Sequence, residues 1–150
     1  MRWAALSSDP RVLMGERHEH AICDFVAERI DVLDFGECQA IGFLDAGGAI
    51  EAGVIYNNWN TKAGVIEISA AARNRTWGTR ERLRLIFDYP FSFARMVVAR
   101  TSEHNPGPLR IWKALGADEY RIAGLRGPDE AEIVTTLTAD QWRASRFSRR

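Results

Sequence analysis

Apolar residues recur at helical spacing over residues 18–30, where Ala21, Ile22, Phe25, Val26 and Ile30 share one face and Glu19, Asp24, Glu28 and Arg29 take the other. This predicts a helix laid on a core. Ahead of it, Val12-Leu13-Met14 reads as a short strand, or the pair Asp9-Pro10 opens a helix as N-cap and first residue; the strand is preferred. The period then shortens. Residues 39–45 and 50–56 are apolar runs separated by A-G-G-A, the pattern of an antiparallel hairpin. A polar stretch, N-N-W-N-T-K-A-G, is expected to loop to a third run, 65–70, so that three consecutive strands form a meander.

Beyond that run the pattern changes twice more. An arginine-rich turn leads to a helix from Thr79 to Phe87 or beyond, with Leu83, Ile86 and Phe87 on its apolar face, and residues 95–101 then form a compact buried strand. A helix intervenes, so this strand is expected to lie parallel to the third one through a right-handed crossover. Residues 105–115 carry two prolines and then L-R-I-W-K-A-L, a short helix stopped by Gly116. Residues 119–125 and 132–137 read as a final strand pair around R-G-P-D, and Thr138-Ala139-Asp140-Gln141 as a capping box opening a last helix. The expected fold class is therefore α/β (α+β): one domain over residues 1–150, with a mostly antiparallel mixed sheet, one parallel pair, and flanking helices.

Composition narrows the partners. Twenty basic and twenty acidic residues leave no net charge, so no global field draws the molecule to nucleic acid or membrane and any attraction is local. Cys23 and Cys38 are too few for a disulfide framework and read as ordinary thiols. His18 and His20 lack further metal ligands nearby, so no metal is expected. The N-terminal M-R-W-A-A-L-S-S-D-P has no secretory apolar core, and no run approaches the ~20 residues of a membrane span, which makes the cytoplasm the default location. Arg143, Arg146, Arg149 and Arg150 form an acid-free tail, read as a frayed end in preference to a nucleic-acid arm.

The candidate chemistry lies between the third strand and the helix after it. Amides of a helix's first turn have no intrahelical partner and sit at the positive end of the macrodipole, so phosphate is a natural occupant. Here that turn holds Arg73, Arg75, Arg80, Arg82 and Arg84 against one acid, Glu81. Arg82 and Arg84 also read as a solvated helix face, whereas Arg75, Gly78, Thr79 and Arg80 offer backbone amides whatever their side chains do. Glu67 interrupts an apolar run, where an unpaired buried carboxylate is costly; it reads as the partner of a structural arginine or as a side chain pointing to solvent. Tyr56, Asn57, Asn58, Trp59 and Asn60 are expected in the loop between the second and third strands, either as acceptor-binding residues or as turn residues with one surface aromatic.

Two motifs, in this order of elements, resemble the GCN5-related N-acetyltransferase superfamily, abbreviated GNAT, over essentially the whole chain. The segment Arg75-Thr76-Trp77-Gly78-Thr79-Arg80 is similar to the superfamily's pyrophosphate turn, with Arg80 where a small residue is usual. Asn105, Trp112 and Gly116 are similar in spacing to its later Asn-aromatic-Gly motif, with Trp112 where the family commonly has the tyrosine that protonates the departing thiolate and Ala117 in place of Phe. An indole N–H does not ionise usefully near neutral pH.

The resemblance implies an acyl-coenzyme A N-acyltransferase fold with a splayed central strand pair. It also implies acetyl-coenzyme A as cofactor and direct transfer to the amine of a small-molecule or protein acceptor. Ser69, Ala70 and Ala71 would meet the pantetheine and supply an oxyanion amide; Arg75, Trp77, Gly78, Thr79, Arg80, Asn105 and Trp112 would bind the cofactor. Glu67 would serve as base, and Ser102 or His104 as replacement acid or simply as loop residues. The acceptor would be met by Tyr56, Asn57, Asn58 and Trp59. Dimerisation near the chain ends is compatible with the resemblance. Two rival readings keep the fold: an inactive coenzyme A-binding or interaction module, and a compact phage-type enzyme modifying a nucleobase in DNA, the latter disfavoured by zero net charge.

Overall fold

The computed structural model describes residues 9–149. In chain order the elements are β1 (Val12–Met14), α1 (Glu16–Ile30), β2 (Cys38–Leu44), β3 (Ile50–Asn60), β4 (Val65–Ala72), α2 (Arg80–Asp88), a 3₁₀ turn (Pro90–Ser92), β5 (Met96–Ser102), α3 (Pro106–Ala114), β6 (Asp118–Ile122), β7 (Glu132–Thr138) and α4 (Ala139–Ala144). The seven strands form one sheet in the order β1-β2-β3-β4-β5-β7-β6. All neighbours are antiparallel except β4 and β5, which run parallel as the crossover predicts.

Strand alternation sends side chains to two cores. Phe43, Val54, Tyr56, Ile66, Ile68, Val97 and Leu137 pack with Leu83, Ile86 and Phe87 of α2, Trp112 of α3 and Trp142 of α4. The opposite face of β2 and β3 carries a smaller cluster, in which Ala40 and Ile55 meet Ile22, Phe25 and Val26 of α1. That helix can lie close because Gly42 and Gly53 face each other across the β2–β3 register. A Cβ at Gly53 would come within 2.8 Å of the Val26 side chain, and one at Gly42 within 2.9 Å of Ile22.

Helix termini follow the local signals. Gly116 takes φ 87 and its amide reaches Lys113 O, while the Ala117 amide reaches Trp112 O at 3.1 Å, the paired bonds of a Schellman stop. Thr138 and Gln141 complete a reciprocal capping box.

Two expectations are corrected. Tyr56, Asn57, Asn58, Trp59 and Asn60 are not a loop: β3 continues through them, broken by a register shift between Asn57 and Asn60 where Asn58 takes φ 53. Asparagine tolerates this left-handed conformation, so a polar run that reads as a loop is a bulged strand end. The basic tail does not fray up to Arg149 either. Phe147 packs against the larger core, and the Arg84 guanidinium donates to Arg149 O at 2.9 Å. Arg150 and the first eight residues lie outside the described residues.

Candidate active site

The geometry of the site starts where strand pairing stops. β4 and β5 pair only at Val65–Met96, Ile66–Val97 and Glu67–Val98. Beyond Glu67, β4 stays with β3 as far as Ala72, while β5 stays with β7 as far as Ser102. The β5-facing backbone groups of β4 past Glu67 therefore have no strand partner. Into this splay opens a cleft of about 590 Å³. Its wall is the small-residue end of β4, including Ala70 and Ala71, and Arg75, Trp77, Asn105 and Trp112 also line it. Trp112 is 7% exposed and meets Phe87 edge-on at 5.5 Å, so its ring is part of the floor.

At one end of the cleft the chain turns into α2. Thr79 is the N-cap, and its hydroxyl accepts the Arg82 amide at 3.2 Å; the first-turn amides of Arg80 and Glu81 have no intrahelical acceptor. A Cβ built at Gly78 would meet nothing within 4 Å, which leaves open space beside that turn. The five arginines divide into two groups. Arg82 is sequestered: it donates to Glu51 at 2.9 Å and to Trp77 O at 3.2 Å, with its guanidinium 4.9 Å from the Phe43 ring centre. Arg73 donates to Ile50 O and lies 3.6 Å from Asp45, and Arg84 reaches Arg149. Arg75 and Arg80 are exposed and form no ion pair among the described residues. The alternative of Arg82 as a solvated face is thus excluded: it braces the turn.

Glu51 completes that brace. A hydrogen bond from Asn74 at 2.7 Å, together with Arg82, holds its carboxyl below the ordinary glutamate range. No sequence signal singled Glu51 out, because its partners lie 23 and 31 positions away.

Glu67 occupies the last paired position before the splay. Its neighbours Ile66 and Ile68 point into the larger core, so by alternation Glu67 and Ser69 face the side that α1 partly covers. The Glu67 carboxylate is half-buried and lies 3.4 Å from the Asn58 amide nitrogen. Asn57 stands opposite Glu67 in the register and donates to Phe35 O at 3.1 Å. Tyr56 is on the other face, where its buried hydroxyl donates to Ile86 O at 2.6 Å and burial pushes its pKa well up. Trp59 stacks edge-on with Phe93 at 5.0 Å.

The remaining candidates are not gathered at the cleft. Ser102 ends β5: its hydroxyl accepts the His104 amide at 3.1 Å and also bonds the Glu130 carboxylate, helping hold that group below its usual range. Ser69, Gly78, Thr79, Arg80, Glu67, Ser102 and residues 56–59 are outside the cleft lining, which unites Ala70, Ala71, Arg75, Trp77, Asn105 and Trp112. Arg29 and Ile30, at the end of α1, also line it, a contribution the sequence reading missed.

Among solved structures, the fold matches mutant forms of the spermidine/spermine N-acetyltransferase SpeG from Vibrio cholerae. The TM-score is 0.70 at 10% identity, over 90% of this chain and 98% of that one. It also matches the ribosomal-protein-S5-alanine acetyltransferase from Vibrio fischeri, with a TM-score of 0.59 at 14% identity, over 85% of this chain and 72% of that one. No protein-family model matches the chain, and no curated protein matches it in sequence. The chain has the GNAT acetyltransferase fold, as its motifs implied.

Proposed function

We propose that the protein is an acyl-coenzyme A-dependent N-acyltransferase, using acetyl-coenzyme A and transferring the acyl group directly to an amine. The observation that carries this reading is the splay of β4 from β5 after Glu67, which opens a cleft lined by Arg75 and Trp77 of the turn that leads into α2. The residues present fit the cofactor. Small side chains at Ala70 and Ala71 admit a narrow chain along unpaired strand backbone, and Gly78 leaves room at the helix end. The amides of Arg80 and Glu81 with the charges of Arg75 and Arg80 suit a pyrophosphate.

When bound, the cofactor supplies an activated thioester. The chain's own part is to position it, to aim the unpaired β4 amides at developing negative charge, and to take a proton from the amine. Glu67, the last paired position before the splay, takes that last task in this reading. Trp112, with its edge-on contact to Phe87, is part of the floor of the cleft and not an acid. The acceptor is a free amine in this reading; the acetyltransferases that share the fold act, by their names, on spermidine or spermine and on a ribosomal-protein alanine. Three of the five turn arginines are engaged within the chain, which favours a compact acceptor over DNA. No helix among the described residues is long and apolar enough to cross a membrane.

Calorimetric titration with coenzyme A, followed by thiol release from acetyl-coenzyme A across a panel of amines, tests the proposal. Saturable binding and amine-dependent thiol release are expected. Absence of heat and of thermal protection at millimolar coenzyme A overturns it, and binding without release for any amine leaves only the coenzyme A-binding module.

A further inference from the structure

Cys23 and Cys38 lie 15 positions apart, Cys23 midway along α1 and Cys38 at the first position of β2. The fold brings their sulfurs to 3.4 Å. Both are free thiols of intermediate exposure, packed at the border of the cluster between α1 and the sheet. A disulfide needs sulfurs about 2 Å apart, so closure asks for an approach of little more than one ångström. Rotation about the side chains of a helix and a strand already in contact can supply such a movement. We propose that Cys23 and Cys38 form an oxidisable dithiol, a modification site that gives up two electrons to small disulfides of the glutathione type and ties α1 to β2 by a reversible bond.

The reaction balances in two exchanges. The Cys38 thiolate attacks one sulfur of the small disulfide, forming a mixed disulfide and releasing one small thiolate, which takes up a proton. The Cys23 thiolate then attacks the Cys38 sulfur, forming the internal bond and releasing the second small thiol. Two protein thiols are oxidised and one small disulfide is reduced to two thiols. The order follows from the surroundings. Burial first, and then the contact with Cys38, push the Cys23 thiol up to about 12. Cys38 is also raised by burial, but the Cys23 hydrogen bond pulls it back down, which makes Cys38 the better first thiolate. The groups around the pair are acidic, with Glu19 and Asp24 acting on Cys23 and Glu19 and Asp34 on Cys38. All of them oppose thiolate formation, so exchange accelerates as pH rises.

The bond would fasten the helix whose last residues, Arg29 and Ile30, reach the cleft. It would also close a loop of about 15 residues, for which chain entropy predicts a rise in melting temperature of about 6–12 °C. The test uses the whole chain with glutathione disulfide as probe, at increasing pH, read by non-reducing peptide mapping and thermal melting with and without dithiothreitol. A peptide linking Cys23 to Cys38 and a higher melting temperature that dithiothreitol reverses are expected. Cys23→Ser should stop at a glutathione adduct on Cys38. The inference is overturned if wild type accumulates that same adduct without internal closure, if both thiols stay alkylatable throughout, or if closure occurs only between chains. None of these readouts depends on coenzyme A binding.

Discussion

The two ends of the β4–β5 pair are built from the same kind of strand and do opposite things. At the closed end, Val65, Ile66 and Glu67 are laddered to Met96, Val97 and Val98, and β7 backs β5 with Leu137 opposite Val97, both fully buried. At the open end the ladder is missing on one side of β4, and the side chains shrink to Ser69, Ala70, Ala71 and Ala72. Unmade strand bonds are tolerable only where water or a ligand can reach them, because buried unpaired amides are costly. One end therefore holds the sheet together and the other is left available for binding.

That contrast makes substitutions separable. The largest effect on stability belongs to the closed end: Leu137→Ala should cost about 2–5 kcal/mol. The expected readout is a lower denaturant midpoint with coenzyme A affinity retained by the folded fraction; a parallel collapse of affinity would mean that the two ends are not independent. At the open end, replacing both Arg75 and Arg80 with Ala should weaken coenzyme A binding about 30–1,000-fold, each lost charged contact being worth about 1–2 kcal/mol. The melting temperature of the unliganded protein should barely move, because both side chains are exposed and unpaired. Calorimetry beside thermal melting distinguishes this from a structural role.

The smallest effect tests the brace that holds the turn before α2. Glu51 has a lowered carboxyl pKa, so its contribution is present above the ordinary glutamate value of 4.5 and is lost as pH falls below that value through the lowered one. Glu51→Gln should cost about 1–2 kcal/mol at neutral pH. It should also flatten the acid limb of a stability-versus-pH curve measured by urea unfolding. An unchanged acid limb would mean that Arg82 and Asn74 find other partners.

Much of this architecture was readable from local pattern. The helical period marked α1 over nearly its observed span, Gly116 marked the end of α3, and the alternation of short apolar runs marked the meander. An intervening helix was enough to predict the one parallel pair, since chain reach and handedness permit little else. Of the residues the resemblance pointed to, Trp77, Asn105 and Trp112 come together in the lining of one cleft, whereas Gly78 stays outside it. The polar end of β3 was not legible, because its strand character comes from pairing with β4, and Asn58 adopts a conformation that mimics loop chemistry. The role of Arg82 was not legible for a similar reason: the carboxylate that claims it belongs to β3.

What the sequence determined by itself, then, is the succession of elements, their caps and the place of the arginine-rich turn, all of which depend on residues within a few positions of one another. The tertiary structure alone decided where β4 and β5 part and which arginines are engaged. It alone also decided that two cysteines on different elements lie within 3.4 Å. Those outcomes depend on which strands pair and how closely a helix can approach two facing glycines, and no local window of sequence contains that information.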